Sequence, residues 1–229
     1  MINGILTKAC ASASRGAAWR FRHKVAAAVV LLALAGGSAS GFAAEPAGSA
    51  GATIENLYAS LLATMRNGSV LGASGRYAQL APVIRQSFDL PYMARLAFGF
   101  GWSRLTPMQQ QQVTESYGRY MSAVYAERFD SYHGQRLNVT GARQDAPLGL
   151  IVTSKIIKSD GDPVEVDYLM RQNGGRWAIG DIYLDGTISE VATHRSEFAA
   201  ILKRQDFDGL IAALDRKAEM LTGTAARAD

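Results

Sequence analysis

The spacing of apolar residues changes twice along the chain and divides it into helices, then strands, then helices again. Ile54, Leu57, Tyr58, Leu61, Leu62 and Met65 recur every three or four positions, which predicts an amphipathic helix. Asn67 to Gly75 contains Gly68, Gly72 and Gly75 and reads as a loop. A second helical stretch covers roughly 76–87, with Pro82 limiting or kinking it. Asp89 and Pro91 suit the cap and first turn of a short helix that ends near Gly99. Thr106-Pro107 then opens the longest helix, with Thr as cap and Pro in the first turn. Val113, Tyr117, Tyr120, Met121 and Val124 form its apolar face, widened by Tyr125 and Phe129, and its end is expected around Ser131 to Gly134.

From there the period is two. Candidate strands are Gln135–Arg143, Leu148–Lys158, Pro163–Arg171 and Arg176–Leu184. The turns between them, Asp145-Ala146-Pro147, Ser159 to Asp162 and Asn173-Gly174-Gly175, are short enough to imply antiparallel neighbours. Val164, Val166, Tyr168 and Met170 share one face of the third strand, opposite Glu165, Asp167 and Arg171. In the fourth, alternation puts Trp177, Ile179 and Tyr183 on one face with Asp181 and Asp185. Val191, Phe198, Ile201 and Leu202 mark a further helix, and Phe207, Leu210, Ile211, Leu214 and Leu221 mark the last. The predicted class is α+β, an antiparallel sheet of about four strands packed against several helices.

Composition changes this picture at the N-terminus. Residues 1–43 contain no Asp or Glu but carry Lys8, Arg15, Arg20, Arg22 and Lys24, then an apolar run from Val25 to Ala35, then small residues. This is the layout of an export signal, with the best cut after Ala43. The apolar run is about 11 residues long, where a spanning helix needs roughly 20. The expected organisation is signal peptide 1–43, flexible start 44–52, one domain 53–222 and flexible tail 223–229. Five of the 24 basic residues and none of the 20 acidic ones lie in the leader, so the pI of 9.3 is in part a targeting signal. It does not argue for nucleic acid as a partner. The single cysteine, Cys10, also lies in the leader, which excludes disulfides, thiolate metal ligands and a thiol nucleophile from the exported form.

Catalysis has no visible carrier. His133 and His194 sit in no ligand pattern and read as surface or loop-end histidines, so no metal is expected. Gly99-Phe100-Gly101-Trp102 follows a helix, lacks the rest of a phosphate loop, and reads as a helix-terminating turn. No G-x-S-x-G is present. Asp181 and Asp185 stand about 13 Å apart on an ideal strand, too far for a glycosidase pair, and read as aspartates bonding turn backbone. What the chain holds in excess is bulky apolar side chains, which either fill a core or line a hollow one.

Two segments carry more. LAFGFGWSRLTPMQQQQVTESYGRYMSAVYAERFDSY (Leu96 to Tyr132) places Gly101-Trp102, Thr106-Pro107 and Tyr125 in order. RWAIGDIYLDGTISEVATHRSEFAAIL (Arg176 to Leu202) places Trp177, Asp181, Gly186, Ser189, Arg195 and Phe198. Together they resemble the MlaC family of periplasmic lipid carriers, also called toluene-tolerance substrate-binding proteins, over about residues 53–222. His194-Arg195 stands where the family often has Tyr-Arg. The wording Tyr183 to Ser189 is closer to the hopanoid-associated HpnM branch.

The resemblance implies a lipid-binding shuttle with no cofactor and no catalytic residue. Its ligand would be phospholipid or hopanoid. Its partners would be an inner-membrane ABC-type transporter complex and an outer-membrane lipid-handling complex. It implies an apolar cavity between sheet and helices, lined by Phe98, Trp102, Val113, Tyr117, Met121, Val124, Tyr125, Val152, Val166, Tyr168, Ile179 and Tyr183. Two acyl chains of about 15 methylenes, at roughly 0.8 kcal/mol each, represent about 24 kcal/mol of exposure cost, so a carrier must enclose them. The competing readings are an enzyme acting on envelope lipids or glycans, and an NTF2-like interaction domain with a filled core.

Overall fold

The computed structural model describes residues 49–145, 148–159 and 161–223, so the expected signal peptide and its cleavage site lie outside the described residues. Helix α1 (Ala50–Arg66) starts at Ser49, whose hydroxyl accepts from the Ala52 N–H. Residues 50–52 of the expected flexible start are therefore helical. Ile54, Leu57, Tyr58, Leu61 and Met65 form the buried face, as the spacing predicts.

Helix α2 (Gly68–Ser87) replaces the expected loop. It is broken once, at Gly72, where φ is 61° and ψ −178°, and it runs through Pro82. The break lies at the residue that can adopt a left-handed φ without a Cβ clash, not at the proline. Helix α3 (Leu90–Phe98) is capped by Asp89 and leads into a 3₁₀ turn, Gly99–Arg104. Helix α4 (Pro107–Arg128) opens on a full capping box between Thr106 and Gln109. It ends at Arg128, short of the expected Ser131 to Gly134.

Strands β1 (Arg136–Asp145), β2 (Gly149–Ile157), β3 (Val164–Asn173) and β4 (Arg176–Leu184) follow the period-two reading closely. A two-residue β5 (Ile188–Ser189), too short to leave a periodic signal, completes a five-stranded antiparallel meander in order β1-β2-β3-β4-β5. Helices α5 (Glu190–Leu202) and α6 (Phe207–Thr222) close the fold. Among the described residues no helix is long and apolar enough to cross a membrane.

Register decides which side chains meet. Ser154, Val166 and Leu184 lie in one row across β2, β3 and β4, and Val152, Tyr168 and Ile182 in the next. Leu169 pairs with Asp181 and Met170 with Ile179, which leaves Gly180 as a bulge. The bulge overturns the simple alternation. Ile179 shares its face with Ile182 and Leu184, while Asp181 and Tyr183 lie on the other. Helix α1 packs on β1, β2 and β4, and α5 packs on β4. The backbone neighbours of α4 are α6, α2 and α3 rather than strands. The outer edge of β4 is closed by the Asp89 N–H, which donates to the Ile179 carbonyl at 2.8 Å, and by β5.

Candidate functional site

From Ser116 to Ala126 every residue of α4 except Arg119 is buried. The apolar stripe read from sequence is therefore only part of the contact surface. Gly118, Ser122, Ala123 and Ala126 let neighbouring helices approach the other sides. The stripe also splits in two directions. Tyr117 points to α5, where its hydroxyl meets His194 Nδ1 at 2.9 Å and its ring stands edge-on to Phe198. Tyr125 points toward the sheet side, edge-on to Phe88 and stacked on Phe129.

On the sheet side, two expected site residues, Tyr125 and Tyr168, lie among further aromatic and hydroxyl side chains. Tyr168 on β3 and Tyr58 on α1 meet edge-on, with their hydroxyls 3.1 Å apart. Ser154 donates its one hydroxyl proton to the Val166 carbonyl at 2.5 Å. It must then accept from Tyr58 at 2.6 Å, and Tyr58 must accept from Tyr168. Burial pushes the Tyr168 and Tyr125 phenols well above their ordinary value, with neighbouring tyrosines and Glu190 adding to it. Burial raises Tyr58 and takes Tyr120 to about 12. These hydroxyls stay neutral and act only as hydrogen-bond groups. Tyr58, Ser154 and Phe88 join this group in the structure, although each reads in the sequence as ordinary core or strand.

Val113, Met121, Val124, Val152, Val166 and Ile179 are all buried. Among the described residues the structure does not show the apolar cavity expected there; it shows these side chains covered from solvent. Phe98 and Trp102 stand apart, edge-on to one another and half-buried at the 3₁₀ turn. Tyr183 is half-buried on the opposite sheet face, across the bulge from the rest. A separate pocket of about 300 Å³ lies between α2, α4 and α6, lined by Ser74, Tyr77, Arg119, Asp215, Ala218, Glu219 and Thr222. Arg119 holds Asp215 across it with two N–H donors.

His194 is buried, not at the surface as expected, because the helix carrying it turns it toward α4; His133 is exposed. Burial lowers the His194 pKa, and the ring sits closed between Tyr117, Tyr120 and Phe198. Glu190, at the start of α5, accepts from Arg128 at 3.1 Å and is itself buried. Asp181 accepts from the Ile182 and Val191 N–H groups and from the Ser189 hydroxyl, the backbone-bonding role expected of it. Among the described residues no group of three or more His, Cys, Asp or Glu stands close enough to hold a metal ion.

The family model described as MlaC protein matches residues 55–216. The toluene tolerance protein ttg2D of Pseudomonas putida is 26% identical over 125 residues, which is 55% of this chain and 55% of that protein. The chain thus spans about half the length of that curated relative. A solved structure, the phospholipid-binding protein from Ralstonia solanacearum in complex with a phospholipid, matches with a TM-score of 0.64 at 25% identity, over 76% of this chain and 98% of that one.

Proposed function

The chain belongs to the MlaC family, and from that premise we propose that it is a periplasmic lipid carrier holding the tails of a phospholipid between α4 and the sheet. The observation that carries this reading is the likeness to the phospholipid-bound Ralstonia solanacearum protein, which extends over nearly all of that protein. The fold supports it physically. The main backbone neighbours of α4 are helices and not strands, so its sheet-side surface meets its surroundings chiefly through side chains. Side chains can be displaced by acyl chains without breaking a hydrogen-bonded ladder.

In this reading Val113, Met121, Val124, Tyr125, Val152, Val166, Tyr168 and Ile179 contact the tails. Tyr117 backs the site from the α5 side, and Phe98, Trp102 and Tyr183 lie outside it. Tail entry requires the packed layer to open, and the lipid replaces the contacts that opening removes. The reading needs no covalent chemistry. It also includes export through residues 1–43, and exchange of lipid with an inner-membrane ABC-type complex and an outer-membrane complex.

The deciding experiment is organic-solvent extraction of chain recovered from the periplasm, followed by mass spectrometry. One phospholipid per chain is the expected result. A hopanoid in its place would keep the carrier and change its ligand, as the wording of Tyr183 to Ser189 suggests. An empty extract, both as recovered and after incubation with mixed phospholipid vesicles, would overturn the reading.

A further inference from the structure

Phe100 is 92% exposed and Met108 80% exposed. Both lie where α3 ends, the 3₁₀ turn passes and α4 begins. The turn is not loose. Gln110 donates to the Trp102 carbonyl at 3.2 Å, and the Phe98 ring stands edge-on to Trp102. Arg195 from α5 reaches under Gly99, and its guanidinium lies 4.8 Å from the Phe100 ring centre. The phenyl ring is thus presented to solvent by a built support.

The charge around it has one sign. From Leu90 to Thr114 there is no Asp or Glu. Arg95 in the last turn of α3, Arg104 at the end of the 3₁₀ turn and Arg195 are exposed. None of the three has an ion-pair partner among the described residues, whereas Arg119, Arg128, Arg143 and Arg171 each do. On α5, Glu190 is buried against Arg128 and Glu197 is half-buried, so neither offsets the exposed guanidiniums.

We propose that this corner docks the chain on an anionic lipid surface. Phe100 and Met108 enter the acyl region, and Arg95, Arg104 and Arg195 sit at the headgroup phosphates. An aromatic ring beside guanidiniums matches a bilayer interface, where the ring leaves water while the cations stay with phosphate. The charge complementarity selects an anionic surface over a neutral one. The proposal goes beyond the carrier reading and does not depend on what the core holds, since an empty chain docks equally.

The test places a tryptophan in the full chain at one of two exposed apolar positions, Phe100→Trp or Val70→Trp. Val70 is 88% exposed and lies in α2, away from this turn. Each variant is mixed with vesicles of brominated phosphatidylglycerol or brominated phosphatidylcholine. The two variants share the same leader and native tryptophans, so any difference belongs to the new side chain. Strong quenching at position 100 but not at 70, on the anionic vesicles only, is the expected result. Replacing Arg95, Arg104 and Arg195 with Gln in the Phe100→Trp chain should weaken that partitioning roughly 100-fold. Equal quenching at both positions, equal quenching on neutral vesicles, or no effect of the arginine changes would overturn the proposal. No quenching at position 100 would also overturn it and leave the face to a protein partner. Lipid in the extract together with failure here would leave the carrier standing and remove only the docking face.

Discussion

Asp181 ties three elements together with one carboxylate. It accepts from Ile182 at 2.8 Å within β4, from Ser189 at 2.6 Å in β5 and from Val191 at 3.1 Å in α5. Ser189 then caps α5 by accepting from the Ala192 N–H. Asp181→Ala leaves buried donors without a partner and should cost about 1–3 kcal/mol in urea unfolding. Asp185→Asn, at an exposed left-handed turn position that Asn tolerates, should stay within about 0.5 kcal/mol. Equal losses at the two positions would show that Asp181 does not bracket the corner. His194 supplies a pH dependence at the same scale. Burial holds its pKa below the ordinary 6.5, against Glu190, which raises it; Arg128 and Lys217 add to the lowering. A depressed pKa in the folded chain means that the unfolded chain takes the proton more readily. The stability tied to neutral His194 is therefore complete above pH 6.5 and is lost as pH falls through the lowered value. The melting temperature should drop between about pH 7.5 and about pH 5.5, and His194→Gln should make that drop smaller. An unchanged drop in the variant would remove His194 as the titrating group.

At the scale of elements, the closest approach in the helical layer is at Gly68. A Cβ there would stand 1.7 Å from the Asp130 carbonyl oxygen, so backbone would have to move. Gly68→Ala should cost about 1–3 kcal/mol by overpacking. Ser69→Ala, one residue on and exposed, should cost much less. Matching melts for the two would mean that the approach relaxes freely. This position also shows where sequence reading stops. Three glycines between Asn67 and Gly75 look like a loop, yet Gly68 is required by a distant carbonyl and only Gly72 breaks the helix. Caps and short turns were legible because Thr106-Pro107 and Asn173-Gly174-Gly175 act within a few residues. The strand boundaries fell within about two residues for the same reason. The buried sides of α4 were not legible, because Gly118, Ser122 and Ala126 leave no hydrophobic signature. The Gly180 bulge was not legible either, since strict alternation cannot report an unpaired residue, and that one residue puts Tyr183 on the sheet face opposite Ile179, Ile182 and Leu184. The sheet-side cluster was half legible. Tyr125 and Tyr168 stood out as large residues, whereas Tyr58 and Ser154 join them only through cross-element hydrogen bonds.

For the whole molecule, the open question is how a packed interior and a lipid can share one space. Val124 is 6% exposed on α4, amid the layer that the carrier reading assigns to acyl tails. Where Val124 is covered by its neighbours, Val124→Trp adds volume and should cost about 1–3 kcal/mol in the lipid-free chain. In the loaded chain the indole would compete with the tails, so bound lipid should fall sharply. A ligand that binds only the folded state raises its stability with the logarithm of one plus the ratio of free ligand to its dissociation constant. The wild-type chain should therefore melt at a higher temperature loaded than delipidated, and Val124→Trp should shrink that gap along with the lipid content. Val70→Trp, at an exposed position of α2, serves as the comparison and should leave both unchanged. The three quantities separate the alternatives. A filled core with no ligand gives destabilisation by Val124→Trp and no gap in either chain. A carrier whose tails lie elsewhere, for example at the pocket between α2, α4 and α6, gives destabilisation with an undiminished gap and unchanged lipid. Only a carrier that opens the layer between α4 and the sheet loses stability, lipid and gap together.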